Sequence, residues 1–284
     1  MATTLDIDLV RTFHAVARLG QFRAAAAHLH KSPAAVSVHI QRLEALAGGR
    51  LLERDNQAVT LTPLGERLLG TTRELLHTHD RVVAQLQGAQ LAGRVTIGLP
   101  DEYAAHVIRD ILPAFAATWP NVVLEVRTAP SYTLREQLAR GALQLAVMAC
   151  NAGAAPAQAQ LLTATTPVWV GASSAMGQGP GPVPLALYAA DCPYREAMLR
   201  TLKAHGRTWR VVLDSPSSQA INACVEGGLA VTLIDQARVT ASMQQLQGMP
   251  TVAQHEVVLV RAPGAAGHAA LELLAEAIGR YFHL

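Results

Sequence analysis

The chain has 284 residues, half of them apolar, 15% charged and 4% aromatic; that is long enough for two or three domains and too apolar for disorder. The longest apolar runs, such as residues 145–150, fall well short of the roughly 20 residues that a membrane-spanning helix needs. Asp6 and Asp8 stand where a secretory leader carries basic and then apolar residues, so a cytoplasmic protein with no membrane partner is expected. The net charge of +2 is concentrated at one end: residues 1–62 hold seven basic and five acidic side chains, and the remainder balances at sixteen of each. Cys150, Cys192 and Cys224 are odd in number and widely spaced. Free buried thiols are expected, with no disulfide framework, metal site or cofactor.

In residues 9–19, Leu9, Val10, Phe13, Val16 and Ala17 recur at three- and four-residue steps, the period of a helix with one buried face, and Gly20 ends it. A short helix over 22–29 is rich in alanine from Ala24 to Ala27, which lets another helix cross closely. Ser32 and Pro33 then supply an N-cap hydroxyl and a ring at the first helical position. On the third helix Val36, Ile40 and Leu43 face inward, leaving Ser37, Val38, His39, Gln41 and Arg42 on or beside the outer face. Two short extended stretches, 50–54 and 59–61, flank a turn-prone tip at 55–58 and form a candidate wing.

A long helix is expected over 62–90, started by Thr62-Pro63 and roughly 40 Å long at 1.5 Å per residue. Its leucines have too little chain around them to be buried on the helix itself, which reads as a dimerisation stem; an ordinary core helix is the other reading. After Gly93 strands alternate with helices: strands over 95–99, 122–126 and 143–148 with helices over 103–117 and 134–140 describe parallel βαβ units. Beyond Thr166 a strand over 168–171 precedes a Gly/Pro-rich surface turn over 177–184 that lacks a phosphate-loop signature. Helices over 195–204, 218–226 and 266–282 and strands over 210–213, 230–234 and 257–260 complete two small α/β lobes with a cleft between them.

Residues 13–65, above all Ala25-Ala26-Ala27-His28-Leu29-His30-Lys31-Ser32-Pro33-Ala34-Ala35-Val36-Ser37-Val38-His39-Ile40-Gln41-Arg42-Leu43-Glu44, resemble the winged helix-turn-helix of the LysR-type transcriptional regulators. Gly48-Gly49-Arg50-Leu51-Leu52-Glu53-Arg54, Val59 through Gly65, and Gly93-Arg94-Val95-Thr96-Ile97-Gly98 continue the likeness into the linker and the effector domain. The resemblance implies an α/β fold overall: a DNA-binding head at 1–62, a linker helix at 63–91, and at 92–284 a two-lobed effector-binding domain similar to periplasmic binding proteins. Its first lobe is expected at about 92–165 and 262–284, its second at about 166–261. The same resemblance implies a homodimer or homotetramer that binds promoter double-stranded DNA and responds to a small-molecule effector.

On that reading the third helix enters the major groove by its amino end. Ser32, Pro33, Ala34, Ser37, Val38, His39, Gln41 and Arg42 are the candidate contacts, with Arg54 as a further donor to phosphate or base edges; a solvated surface charge is the rival reading for each arginine. Val38 stands where relatives often carry a polar or basic residue, and can touch only a thymine methyl. For the cleft the candidates are Pro100, Asp101 and Glu102 after the first strand, Ser131 and Tyr132, Met148, Tyr194, and Ser215 with Ser217 in the opposite lobe. Capping alone is the other account of those serines. No nucleophile elbow, His-Glu-x-x-His pair or dinucleotide loop occurs, so no enzyme is expected. An architectural DNA binder without effector, or a cytoplasmic small-molecule-binding protein, is the alternative.

Overall fold

The computed structural model describes residues 4–54, 59–86, 91–179, 181–265 and 267–284. The expected wing tip at 55–58, the expected end of the long helix at 87–90 and the side chain of Arg54 lie outside the described residues.

Three helices build the head: α1 (Ile7–Leu19), α2 (Phe22–His28) and α3 (Pro33–Ala47). Asp6 caps α1 by accepting from the Asp8 N–H, and Gly20 and Gly48 close α1 and α3 in left-handed backbone at φ 64° and 74°. Only a residue without Cβ adopts that geometry at little cost. Phe13, Val16, Ala25, Val36 and Ile40 are fully buried where the helices meet, with Leu43 at 1% exposure. Strands β1 (Leu52–Arg54) and β2 (Val59–Leu61) pair antiparallel, Leu52 opposite Leu61. The Glu44 carboxylate accepts from the Leu51 and Leu52 N–H groups at 2.9 and 3.4 Å, fixing the wing to the end of α3.

Helix α4 (Pro63–Leu86) follows, with Thr62 at its start accepting from the Gly65 N–H at 3.0 Å. Its leucines divide between three surroundings. Leu64, Leu68 and Leu69 pack on the head, and Leu76 is fully buried in the core of the following domain. Leu75 and Val82, seven positions apart on one face, stay exposed, and Val83 opens onto a cavity beside Arg11 and Phe115. The head also touches the last domain directly. The Asp80 carboxylate of α4 accepts from Arg11 of α1 and from Arg280 and Tyr281 near the carboxyl end of the chain.

The first lobe is a five-stranded sheet. Strands β3 (Gly93–Leu99), β4 (Val122–Thr128) and β5 (Leu145–Asn151) run parallel; β12 (His255–Arg261) joins antiparallel beside β5, and β6 (Gln160–Thr165) beside β12. Helix α5 (Asp101–His106) continues through a π turn (Val107–Ile111) into α6 (Leu112–Thr118), and α7 (Ser131–Ala139) covers the other face. Gly98 lets α7 lie against β3: a Cβ there would stand 2.6 Å from Leu134 Cδ2 and from Leu143 Cδ1. The sheet therefore takes residues 255–261 out of the second lobe, where the sequence placed them. An all-apolar strand is equally at home in either sheet, and the crossover that returns it is not a local signal.

In the second lobe β7 (Pro167–Gly171) pairs antiparallel with β10 (Thr232–Asp235) and β11 (Gln244–Gln245). Strand β8 (Val183–Leu187) pairs parallel with β9 (Trp209–Asp214), and a Leu185–Val231 bridge links the two sets. The stretch expected as a turn through 184 thus begins a strand at Val183, fully buried at Val183, Leu185 and Ala186. Helices α8 (Pro193–Ala204) and α9 (Ser218–Glu226) pack on this sheet, and α10 (Ala269–Tyr281) returns to the first lobe with Leu271, Leu274, Ala275 and Ile278 fully buried.

Candidate nucleic-acid interface and ligand cleft

The turn between α2 and α3 places His30 in left-handed backbone at φ 52°, the one such non-glycine among the described residues. This turns the chain so that α3 crosses α1 and α2 with its apolar stripe inward. Ser32 accepts from the Ala35 N–H at 3.2 Å and Pro33 takes the first helical position, as the sequence requires. Ser32, Pro33 and Ala34 are exposed at the amino end of the helix, and Val38 (42%), Gln41 and Arg42 along its outer side, with Ser37 half-buried between them. Among the described residues no carboxylate lies within 4 Å of Arg42. Its guanidinium is open to an external anion.

His39 departs from this face. Its Nδ1 meets Thr12 Oγ1 at 2.9 Å and lies 3.8 Å from the Asp8 carboxylate, so the ring is turned back onto α1. Position 39 borders the buried stripe, three residues after Val36 and next to Ile40, and a polar partner on α1 captures it. Lys31, absent from the sequence-derived set, is held by the same Asp8.

Between the lobes lies a cavity of about 380 Å³. The first lobe contributes Asp101 and Glu102 from the start of α5 and residues 128–131 ahead of α7; the second contributes Tyr188, Ala189, Cys192, Pro216 and Ser217. Both carboxylates sit where β3 ends and α5 begins, the crevice at strand carboxyl ends expected of such sheets. Asp101 Oδ2 reaches across to the second lobe, accepting from the Ser218 N–H at 2.8 Å and its hydroxyl at 2.7 Å. It thereby caps α9, together with Ser217 Oγ, which accepts from the Ala220 N–H at 3.4 Å. Ser131 Oγ accepts from the Ala149 N–H at 3.2 Å and so ties α7 to β5.

Behind this wall is a buried polar cluster. Asp235, with no exposed surface, accepts from the hydroxyls of Tyr103 and Tyr194, and Arg238 Nη1 lies 3.7 Å from its Oδ2. Burial, with Asp235 and Glu102 nearby, holds the Tyr103 hydroxyl well above its ordinary value. Burial likewise raises Glu102 against the opposing pull of its own backbone N–H and of Arg238. The Cys192 thiol is pushed up to about 12, first by burial and then by Glu102, which leaves it protonated and unreactive.

Four of the nine cleft residues expected from sequence therefore line the cavity: Asp101, Glu102, Ser131 and Ser217. The other five stand elsewhere. Pro100 is buried as the N-cap of α5, and Met148 is 1% exposed in the small core under α7. Tyr132 is 47% exposed outside the cavity, and Tyr194 lies behind the wall on Asp235. Ser215 holds its own turn by accepting from the Ser217 N–H. Tyr188, a wall residue missing from the expected set, follows the strand that the Gly/Pro-rich stretch concealed. The short apolar run Val183, Leu185, Ala186, Leu187 and Tyr188 is the signal that finds it.

Comparison with known proteins bears on both regions. Residues 7–66 match the model of the bacterial regulatory helix-turn-helix proteins of the lysR family, and residues 88–282 match the LysR substrate binding domain. The transcriptional regulator DgdR of Burkholderia cepacia is 31% identical over 250 residues, covering 88% of this chain and 84% of DgdR. PecT of Dickeya dadantii is 30% identical over 262 residues, covering 91% and 82%. Among solved structures, DarR of Vibrio fischeri, determined in complex with DNA, superposes with a TM-score of 0.51 at 20% identity over 98% of this chain and 99% of DarR. Full-length OxyR from Pseudomonas aeruginosa gives 0.50 at 20% identity, over 97% of this chain and all of that one. These structural likenesses speak to the fold.

Proposed function

Because the chain belongs to the LysR family of bacterial helix-turn-helix transcription regulators, we propose that its α3 face reads promoter DNA while the cavity between the lobes holds the small molecule that modulates this binding. The observation that carries the first half is an exposed helix face whose one cation, Arg42, has no intramolecular carboxylate among the described residues. Ser32, Pro33 and Ala34 at its amino end meet the backbone or base edges first; Gln41 and Arg42 supply directional donors, and Val38 an apolar contact to a thymine methyl. Arg54 keeps its place as a candidate donor on the wing strand, and His39 serves α3 by fixing it to α1.

For the second half, Asp101, Glu102, Ser131 and Ser217 converge on one cavity from two lobes that are joined across it by the Asp101–Ser218 bonds. A ligand there changes how the lobes close, and α10 carries that change to Asp80 and Arg11, hence to the head. The regulator works as a homodimer or homotetramer through the exposed side of α4, where Leu75 and Val82 await a second copy. Two heads on that stem read half-sites one or more DNA turns apart. No helix among the described residues is long and apolar enough to cross a membrane, and we place the protein in the cytoplasm as a regulator without catalysis, with a head at 1–62, a linker at 63–91 and an effector domain at 92–284. The test is binding of intact protein to the DNA upstream of its own gene: Arg42→Ala weakens it by about 1–3 kcal/mol, and an unchanged affinity would remove α3 from the interface.

A further inference from the structure

The cavity has an electrostatic character that selects its ligand. Two carboxylates, Asp101 and Glu102, line it, and no Lys, Arg or His does so among the described residues. Two arginines stand behind the wall: Arg238, 3.7 Å from a third carboxylate, Asp235, and Arg195, which donates to the Tyr188 carbonyl and to Asp214. Each is paired with an acid outside the lining, which leaves the two lining carboxylates as the charges that face the cavity.

The two lining carboxylates are not equivalent. Asp101 is satisfied by the Ser218 N–H and hydroxyl. Glu102 has no such partner among the described residues: its carboxyl accepts from its own backbone N–H, with Arg238 acting on it from farther than an ion pair. Glu102 is half-buried and its carboxyl opens into the cavity, where a donor from outside the chain can meet it. An incoming carboxylate or phosphate finds the reverse of what it needs, two like charges and no cation in the described lining to meet it.

We infer that the effector is a small organic cation, carrying a primary ammonium or amidine group and no carboxylate, whose charged end meets Glu102. This rests on the proposed reading of the cavity as the effector site. The hydroxyls of Ser131 and Ser217 stand beside the charged end as further acceptors, and Tyr188, Cys192, Pro130 and Pro216 give an apolar wall for the remainder. At about 30 Å³ for each water-sized group, the 380 Å³ cavity takes on the order of a dozen non-hydrogen atoms. A cation held by Glu102 of the first lobe and Ser217 of the second adds a bond across the cleft in parallel with Asp101–Ser218. It therefore favours the closed lobes.

Benzylamine, benzyl alcohol and benzoate share a ring and differ in the charge of one group, and calorimetric titration of the full-length protein with each separates the possibilities. Benzylamine binding in the millimolar range, with benzoate at least about tenfold weaker, is the expected result. Glu102→Gln, which keeps shape and removes charge, lowers benzylamine affinity at least about tenfold, and Glu102→Lys turns the preference toward benzoate. Ser217→Phe, which fills the cavity, abolishes all three. Benzoate binding as well as benzylamine, and being lost in Ser217→Phe, would overturn the cationic assignment while leaving the cleft as the effector site. Binding of none of the three, or binding indifferent to Ser217→Phe, would overturn both.

Discussion

The head and the cleft face opposite charges. On α3 the chain leaves Arg42 exposed, with no carboxylate within 4 Å among the described residues, while His39 is turned inward to Thr12; in the cleft Asp101 and Glu102 line the wall, with no basic side chain beside them among the described residues. A net charge of +2 therefore conceals two local fields of opposite sign. Function follows from where charge is left uncompensated, and total charge says little about it.

Removing the support of one field while sparing the other breaks that comparison most severely. Phe13 is fully buried at the centre of the head, so Phe13→Ala costs the head about 3–5 kcal/mol. Denaturant unfolding of the intact chain should show this loss, with DNA binding abolished and benzylamine titration of the cleft retained. Equal damage to both would mean that the two regions fold as one unit.

Arg42→Ala comes next, at about 1–3 kcal/mol of specific affinity and a salt slope smaller by about one. Asp101→Ala removes both bonds across the cleft and leaves α9 without its carboxylate cap, costing about 1–2 kcal/mol of thermal stability in the effector domain; a cleft that closes as firmly without Asp101 would contradict its bridging role. Smallest is His39→Ala, which loses one hydrogen bond to α1, about 1 kcal/mol of stability, and leaves the salt slope unchanged.

Acid sharpens the picture by acting on the contact between the two regions. Burial opposes the charge on Asp80, yet the Tyr281 and Arg11 hydrogen bonds and the charges of Arg280 and Arg11 outweigh it and hold the carboxyl at about 2, against 3.8 ordinarily. Its contribution is complete above about pH 4 and is lost as pH falls toward 2. His28 is a base held down to about 4 from 6.5, first by burial and then by Arg18, His30 and Arg280. It stays neutral in the folded chain where the unfolded chain binds a proton, so stability falls as pH drops from 6.5 to 4. Scattering or hydrogen exchange across pH 7 to 4 should show the head loosening through the His28 window, and Asp80→Asn loosening it already at pH 7. A contact indifferent to both would rule out this charge coupling.

How much of this was legible in the sequence follows the range of each signal. The start of α3 at Ser32-Pro33, its inward Val36, Ile40 and Leu43 and its exposed Gln41 and Arg42 are written within a dozen residues, and the structure agrees with them. His39 was misplaced because its partner Thr12 lies 27 positions away. The cleft is composite: Asp101 and Ser218 meet 117 positions apart, and only the strand order brings them together. Helix-start positions found Asp101, Glu102, Ser131 and Ser217, but Tyr188 lay behind a strand hidden by glycines, Met148 went to the small core under α7, and Tyr194 to the buried Asp235 carboxylate. The return of residues 255–261 to the first sheet carries no local mark at all.

The most direct test of the central claim, that the α3 face reads DNA, is the affinity of intact protein and of Arg42→Ala for the region upstream of its own gene and for a scrambled sequence, measured across a salt series. Selective binding by the unaltered protein that weakens steeply with salt is expected, and for Arg42→Ala a loss of selectivity with a slope smaller by about one. Equal affinity for both DNAs, or an Arg42→Ala protein indistinguishable from the unaltered one, would contradict it.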